Sequence, residues 1–271
     1  MTLPMPPALP DFTTLTLEHP AEHVLMVVLD RPDARNAMNT QMGLDLMALF
    51  ERFQVTTDGA RAIVITGRGD KAFCAGGDLK ERRGMSDETW QTQHAIFERT
   101  VRALVGCPIP VIGAVNGAAY GGGCEIAAAC DFIYAADTAK FALTEVTLGI
   151  MPGAGGTQNL ARAVGSRRAK EITLTGLPFT AAEGEAWGFV NKVCTLDELV
   201  PAAIATATRI AENAPISVRQ IKQSIGRGLD MSLSDGLAFE IEAYNRMVPT
   251  EDRHEGVNAF NEKRKANFKG R

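Results

Sequence analysis

Across its first two thirds the chain alternates short β-rich runs with stretches of helical periodicity, and no other property limits its possible folds so sharply. The runs TLTLEH and VLMVVLD read as strands. After them Leu46, Leu49, Phe50 and Phe53 recur at i, i+3, i+4 and i+7, which is one face of a helix. AIVITG, PVIGAV, DFIYAAD and KFALTE continue the strand series, and Phe97, Val101, Leu104 and Val105 are expected to share one face of another helix. Strand, loop and helix repeated at irregular spacing predict an α/β core of stacked crossover units, with parallel strands covered by helices. From about Leu196 the β signal fades. Leu237, Ile241, Tyr244 and Val248 then fall on one stripe of a terminal helical region, which packs either on a neighbouring subunit or back on its own chain.

Composition narrows the setting. A chain of 271 residues buries a large core without covalent staples. Its five cysteines, Cys74, Cys107, Cys124, Cys130 and Cys194, are scattered and include no CxxC pair, so reduced core thiols in a cytoplasmic protein are expected. The opening MTLPMPPALP has no basic or continuous apolar segment of a signal peptide, and residues 1–12 are expected to form a short disordered leader. The longest apolar run, 111–136, is interrupted by Asn116, Glu125, Asp131 and five glycines, which argues against a bilayer span. A net charge of −4 gives no global attraction to nucleic acid. One local exception is the tail EKRKANFKGR, where Lys263, Arg264, Lys265, Lys269 and Arg271 face a single acid, Glu262; it reads as a solvated tail or as a contact for ligand phosphates.

Two stretches combine glycines with acids in an unusual way. In NGAAYGGGCEIAAAC, Asn116-Gly117 ends a strand and Gly121-Gly122-Gly123 opens a helix that carries Glu125 in its first turn. A helix start leaves backbone N–H groups unpaired and partially positive, and glycine lets another group approach them. KAFCAGGDLK repeats the device, with Gly76-Gly77 just before Asp78 starts a new helix. Two such loops can aim two N–H groups at one carbonyl oxygen. Downstream, KFALTEVTLG places Glu145 at the end of a short strand, before the glycine-rich GIMPGAGGT. A pair of carboxylates in dry surroundings can hold a water and move protons, because burial and mutual repulsion push their pKa values apart. Each glutamate taken alone also has a structural explanation, as a surface residue, a helix N-terminal charge or the partner of a buried arginine.

Rival chemistries lack their residues. The glycine runs do not follow GxGxxG, and neither GK[ST] nor GxSxG occurs. His19, His23, His94 and His254 lie in no metal-binding spacing and read as surface or capping residues, so no metal site is expected.

KAFCAGGDLKE, IGAVNGAAYGGGCEIAAACD, FALTEVTLGIMPGAGGTQNLARAVG and FNEKRKANFKG resemble, in order and spacing, the crotonase family, whose best-known members are enoyl-CoA hydratases. The likeness runs from about residue 13 to the C-terminus. It implies an α/β fold: a spiral of ββα units over 13–195 and a helical region over 196–271 that mediates trimerisation, two trimers often forming a hexamer. It further implies that Gly77 and Gly122 are the oxyanion-hole donors and that Glu125 and Glu145 are the catalytic carboxylates. Lys71 to Leu79, and within it Lys71, Phe73, Ala75, Gly76, Asp78 and Leu79, would run beside the pantetheine and adenine, and Lys263 would reach a phosphate of a neighbour's ligand. Coenzyme A would be part of the substrate, with no separate cofactor, nucleic acid or membrane as a main partner.

Both glutamates are kept, which favours hydration over double-bond isomerisation within the family. CAGGDLKERRGMS and PTEDRHEG also resemble hydratases of branched, methylglutaconyl-type thioesters, the alternative substrate; a non-enzymatic alternative is an RNA-binding or scaffold trimer. Two positions depart from the family pattern. Thr144 replaces a frequent proline, with a hydroxyl that could bond near Glu145, and Tyr120 replaces a residue more often aliphatic.

Overall fold

The computed structural model describes residues 9–271, so the first eight residues of the expected leader lie outside the described residues. β1 (Leu15–Ala21) and β2 (Val24–Leu29) pair antiparallel, and α1 (Thr40–Phe53) follows. Three ββα units come next. The first is β3 (Ala62–Gly67) and β4 (Ala72–Cys74) with α2 (Leu79–Arg82) and α3 (Asp87–Val105). The second is β5 (Val111–Val115), β6 (Ala118–Tyr120) and α4 (Gly122–Ala129), and the third is β7 (Phe132–Ala136), β8 (Lys140–Ala142) and α5 (Gly156–Thr175). β9 (Phe179–Thr180), α6 (Ala181–Ala186), β10 (Lys192–Cys194) and α7 (Leu196–Ala211) precede three last helices, α8 (Pro215–Gly228), α9 (Leu233–Asn245) and α10 (Glu251–Asn261).

Within each unit the first strand joins one sheet and the second joins another. The larger sheet has the order β1-β2-β3-β5-β7-β10 and the smaller β4-β6-β8-β9. Successive turns of the chain therefore stack in parallel register: Ile63 lies beside Val111 and Ile112 beside Phe132 in the larger sheet, Ala72 beside Ala118 and Ala119 beside Phe141 in the smaller. This is the spiral of ββα units that the resemblance implies. The short β6 falls between Gly117 and Gly121, where the sequence reading assigns no element, because AAY is too short to show an alternation.

β2, β3 and β5 are buried along their whole length, as strands covered on both faces must be, and this is why they read as unbroken apolar runs. α1 contributes Leu46, Leu49, Phe50 and Phe53 to the core and packs against α3; each such side chain stabilises the fold by ~1.5–3 kcal/mol. In α3, Phe97, Val101 and Leu104 are buried as expected, but Val105 is 50% exposed. It ends the helix at a groove that Ile221 and Ile225 of α8 also line.

α7 behaves differently from its neighbours downstream. Its Leu199, Ala203, Ala207 and Ala211 recur every fourth residue and lie buried on β1, β2, β3, β5, β7 and β10, so by packing it belongs with the core although it follows residue 195. The sparsely buried arm starts at Pro215. α8 buries no residue, α9 only Ala243, and α10 only Asp252 and Ala259. Leu237, Ile241, Tyr244 and Val248 stay 42–58% exposed, so their stripe does not fold back on this chain.

Candidate active site

Three adjacent parallel strands, β4, β6 and β8, end side by side, and the residues after each end meet in one cavity of about 770 Å³. The carboxyl ends of parallel strands are the usual place for a ligand, because the loops there converge while the sheet stays fixed. β4 delivers Gly77, β6 delivers Gly122 and Glu125, and β8 delivers Glu145; all four line the cavity.

Gly77 is held by a bridge to Met38. The Met38 N–H donates to the Gly76 carbonyl (2.7 Å) and the Asp78 N–H donates to the Met38 carbonyl (2.9 Å). In a parallel bridge those bonds use the flanking residues, so the N–H of Gly77 itself points to the opposite side. Gly122 is the first residue of α4, where helical geometry offers no internal acceptor. Among the described residues neither amide has a hydrogen-bond partner. They are close: a Cβ placed on Gly122 would stand 3.9 Å from the Gly77 nitrogen.

The glycines around them are required by contact. A Cβ on Gly123 would fall 2.0 Å from the Cys74 carbonyl oxygen, so α4 can start this near β4 only without a side chain there. Gly121 turns the chain from β6 into α4 at φ +49°, and a Cβ on it would lie 3.2 Å from Glu145 Oε1.

Glu125 and Glu145 are 4% and 8% exposed, and their surroundings differ. Glu125 Oε1 accepts the N–H groups of Ala154 (2.8 Å), in the glycine-rich segment before α5, and of Gly156 (2.9 Å), the first residue of α5. Burial pushes its carboxyl up, while those two amides and the nearby His94 pull it down; burial prevails. Glu145 opens a 3-10 turn, Glu145–Leu148, instead of ending the strand. Its Oε2 is buried without a hydrogen-bond partner. Burial, with the charge of Glu125 added and only its own backbone amide opposing, pushes Glu145 up to about 7. The pair is therefore unequal. One carboxylate is anchored on two amides, and the other is poised to take or release a proton near neutrality.

The remaining sequence candidates divide. Ala75, Gly76 and Leu79 line the cavity. Lys71, Phe73, Asp78 and Lys263 are outside its wall: Lys71 is exposed at the start of β4, and Phe73 points into the core. Asp78 caps α2 and pairs with Arg31 at 3.0 Å, and Lys263 is exposed just past α10. The Thr144 hydroxyl makes no bond to Glu145 among the described residues; the Thr144 carbonyl accepts from Thr147 instead.

Met38, Arg82 and Trp90 are among the cavity residues that escape the sequence reading, and His94 joins them in the wall. His94 is partly buried in the cavity wall, and its ring packs where a Gly153 Cβ would be, 2.4 Å from Cε1. Its position three residues before Phe97 and seven before Val101 put it on the inner face of α3, a signal the helical period carried. No group of three or more metal-ligating side chains occurs among the described residues, and no described helix is long and apolar enough to cross a membrane.

Known proteins resemble this chain in sequence and fold across nearly its whole length. The family model described as enoyl-CoA hydratase/isomerase matches residues 20–271. A mitochondrial enoyl-CoA hydratase of Pongo abelii is 41% identical over 90% of this chain and 83% of its own. A 2,3-dehydroadipyl-CoA hydratase of Escherichia coli is 38% identical over 92% and 96%. The crystal structure of an enoyl-CoA hydratase from Bacillus anthracis superposes with a TM-score of 0.93 at 40% identity, covering 96% of this chain and 100% of that one. With identities this high over chains matched almost end to end, this protein belongs to the enoyl-CoA hydratase/isomerase family.

Proposed function

We propose that the chain is an enoyl-CoA hydratase, which adds water across the 2,3 double bond of a 2-enoyl-CoA thioester to give the 3-hydroxyacyl-CoA. One observation carries the reading: two amides unpartnered among the described residues, Gly77 and Gly122, share a cavity with two buried carboxylates, one held by two backbone amides and the other with a buried oxygen left without a partner. The thioester oxygen sits between the amides. As water adds, negative charge grows on that oxygen, and fixed N–H donors at a helix start favour it more than they favour the ground state. Loss of one such donor typically costs on the order of 3 kcal/mol, or ~10²-fold in rate.

Glu125, oriented by Ala154 and Gly156, positions and activates the water that attacks C3. Glu145 is the main proton donor and acceptor for C2, a role suited to a carboxyl whose pKa lies at about 7. Ala75, Gly76 and Leu79 flank the entering thioester, with the backbone from Lys71 through Phe73 to Asp78 beside its pantetheine and adenine. No cofactor beyond the coenzyme A of the substrate is required by this chemistry. We also infer a homotrimer, or a hexamer of two trimers, built through the exposed apolar side chains of α9 and α10, including Leu237, Ile241 and Phe260. In that assembly Lys263 approaches a phosphate of the neighbour's ligand. Five free thiols fit a reducing cytoplasm.

Purified protein supplied with 2-butenoyl-CoA is expected to bleach the conjugated-thioester absorbance. Glu145→Gln should lower kcat by about 10²–10⁴-fold with coenzyme A binding retained. Near-normal turnover in that variant would remove Glu145 from its role. Rapid conjugation of a 3-enoyl-CoA with little hydration would make the protein an isomerase instead.

A further inference from the structure

The cavity contains a cation that the hydration chemistry does not use. Arg82, the last residue of α2, is half-buried in its wall beside Gly77: a Cβ placed on Gly77 would be 3.3 Å from one terminal guanidinium nitrogen. The side chain is fixed. Its Nε donates to Gln93 Oε1 at 2.8 Å, and its guanidinium lies over the Trp90 ring at 4.3 Å and nearer the Phe97 ring than 6 Å, at 5.5 Å to the centroid. Its two terminal nitrogens have no hydrogen-bond partner among the described residues, and it forms no ion pair there.

The nearby acids are already committed. Glu81 Oε2 accepts from the Thr40 N–H and from Gln93 Nε2, and Glu98 pairs with Arg102. Glu125 Oε1 is held by two amides. Burial also pulls the Arg82 pKa down, and the nearby Glu81 charge offsets only part of that, so the cation is under a net desolvation cost. A guanidinium stacked beside aromatic rings with its Nε engaged and its two terminal nitrogens unpaired among the described residues matches a planar carboxylate in two parallel hydrogen bonds.

We propose that Arg82 reads a carboxylate at the far end of the substrate's acyl chain, so that the preferred substrates are short 2-enoyl-CoA thioesters of dicarboxylic acids. The inference rests on the hydratase reading and deepens it. The nearness of Arg82 to Gly77, which would hold the thioester oxygen, limits the acyl chain to a few carbons. The bulky coenzyme A phosphates do not suit a site walled by Trp90, Phe97 and His94 in the same cavity as the reacting carboxylates.

The test compares 2,3-dehydroadipyl-CoA with 2-hexenoyl-CoA, which has the same number of acyl carbons and no terminal carboxylate. Wild-type kcat/KM is expected to favour the carboxylated thioester by about tenfold or more. Arg82→Met should lower that ratio by about 10–100-fold, mainly through KM, and Arg82→Lys should keep part of it. Because the reading is a ratio within one variant, a general loss of folded protein cancels. A wild-type ratio at or below one overturns the inference, and so does an equal loss on both thioesters in Arg82→Met, which would put Arg82 on the coenzyme A phosphates. Absence of hydration with either thioester overturns the hydratase reading and this inference with it.

Discussion

The glycines of the catalytic layer and those of the C-terminal arm live under opposite conditions. Around the active site several are pressed against backbone or a working carboxylate: Gly123 on Cys74, Gly117 on Lys71, Gly121 on Glu145, Gly156 on Glu125. In α8, Gly226 and Gly228 have open space where a Cβ would go. The apolar side chains divide the same way, since β2, β3 and β5 are buried end to end while α9 leaves Leu237, Ile241 and Tyr244 exposed. The spiral is thus specified by contacts within one chain. The arm has the apolar surface of a core but no second wall, and a second copy would supply one.

The largest expected effect tests the crowded side of this contrast. Gly123→Ala forces a methyl into the Cys74 carbonyl and should cost more than about 3 kcal/mol or abolish soluble protein, whereas Gly226→Ala should change stability by less than ~1 kcal/mol, in the favourable direction for a helix. Chemical denaturation of the two variants reads the difference, and equal losses would break the comparison.

Next in size is the open side. Leu237→Glu with Ile241→Glu places charges on the exposed stripe of α9, and light scattering should show smaller particles while circular dichroism of the spiral is unchanged. An assembly of unaltered mass would mean that the stripe is not the contact.

The smallest effect concerns Glu145. Folding raises its pKa from 4.5 to about 7, so the folded chain holds this proton where the unfolded chain has lost it. Stability from this group is therefore fully present below pH ~4.5 and is lost as pH rises towards 7. Glu145→Gln, which cannot ionise, should gain on wild type across that window by on the order of 1–2 kcal/mol, allowing for solvent at its open side, and level off above it. A difference that stays flat with pH would mean that the carboxyl is not desolvated.

Much of this was legible in the residues, for identifiable reasons. Strands covered on both faces show as apolar runs, and Glu125 and Glu145 stood out because acids beside glycine turns in apolar surroundings conflict with local preference. The stacking order of the units came only from the family resemblance, since no local pattern says which strand neighbours which. α7 carries the same amphipathic signature whether it covers its own sheet or another subunit, so its place was not readable. Phe73 lies in the core because its strand has both faces covered, which a loop-centred motif does not reveal. Arg82 and Trp90 were invisible for the opposite reason: on the sequence they are ordinary polar-face residues, and only the stacking of α2 and α3 over Gly77 brings them together.

The bridge from Met38 to the residues on either side of Gly77 has one more consequence. With both neighbours tied, the peptide at Gly77 has no freedom to swing, and its orientation is settled while the polypeptide matures, well before any ligand arrives. The resting and the working enzyme should then have the same loop shape at this point, and the Gly77 amide proton, facing the cavity unbonded, should exchange with deuterium quickly when the enzyme is empty and slowly once a thioester analogue is bound.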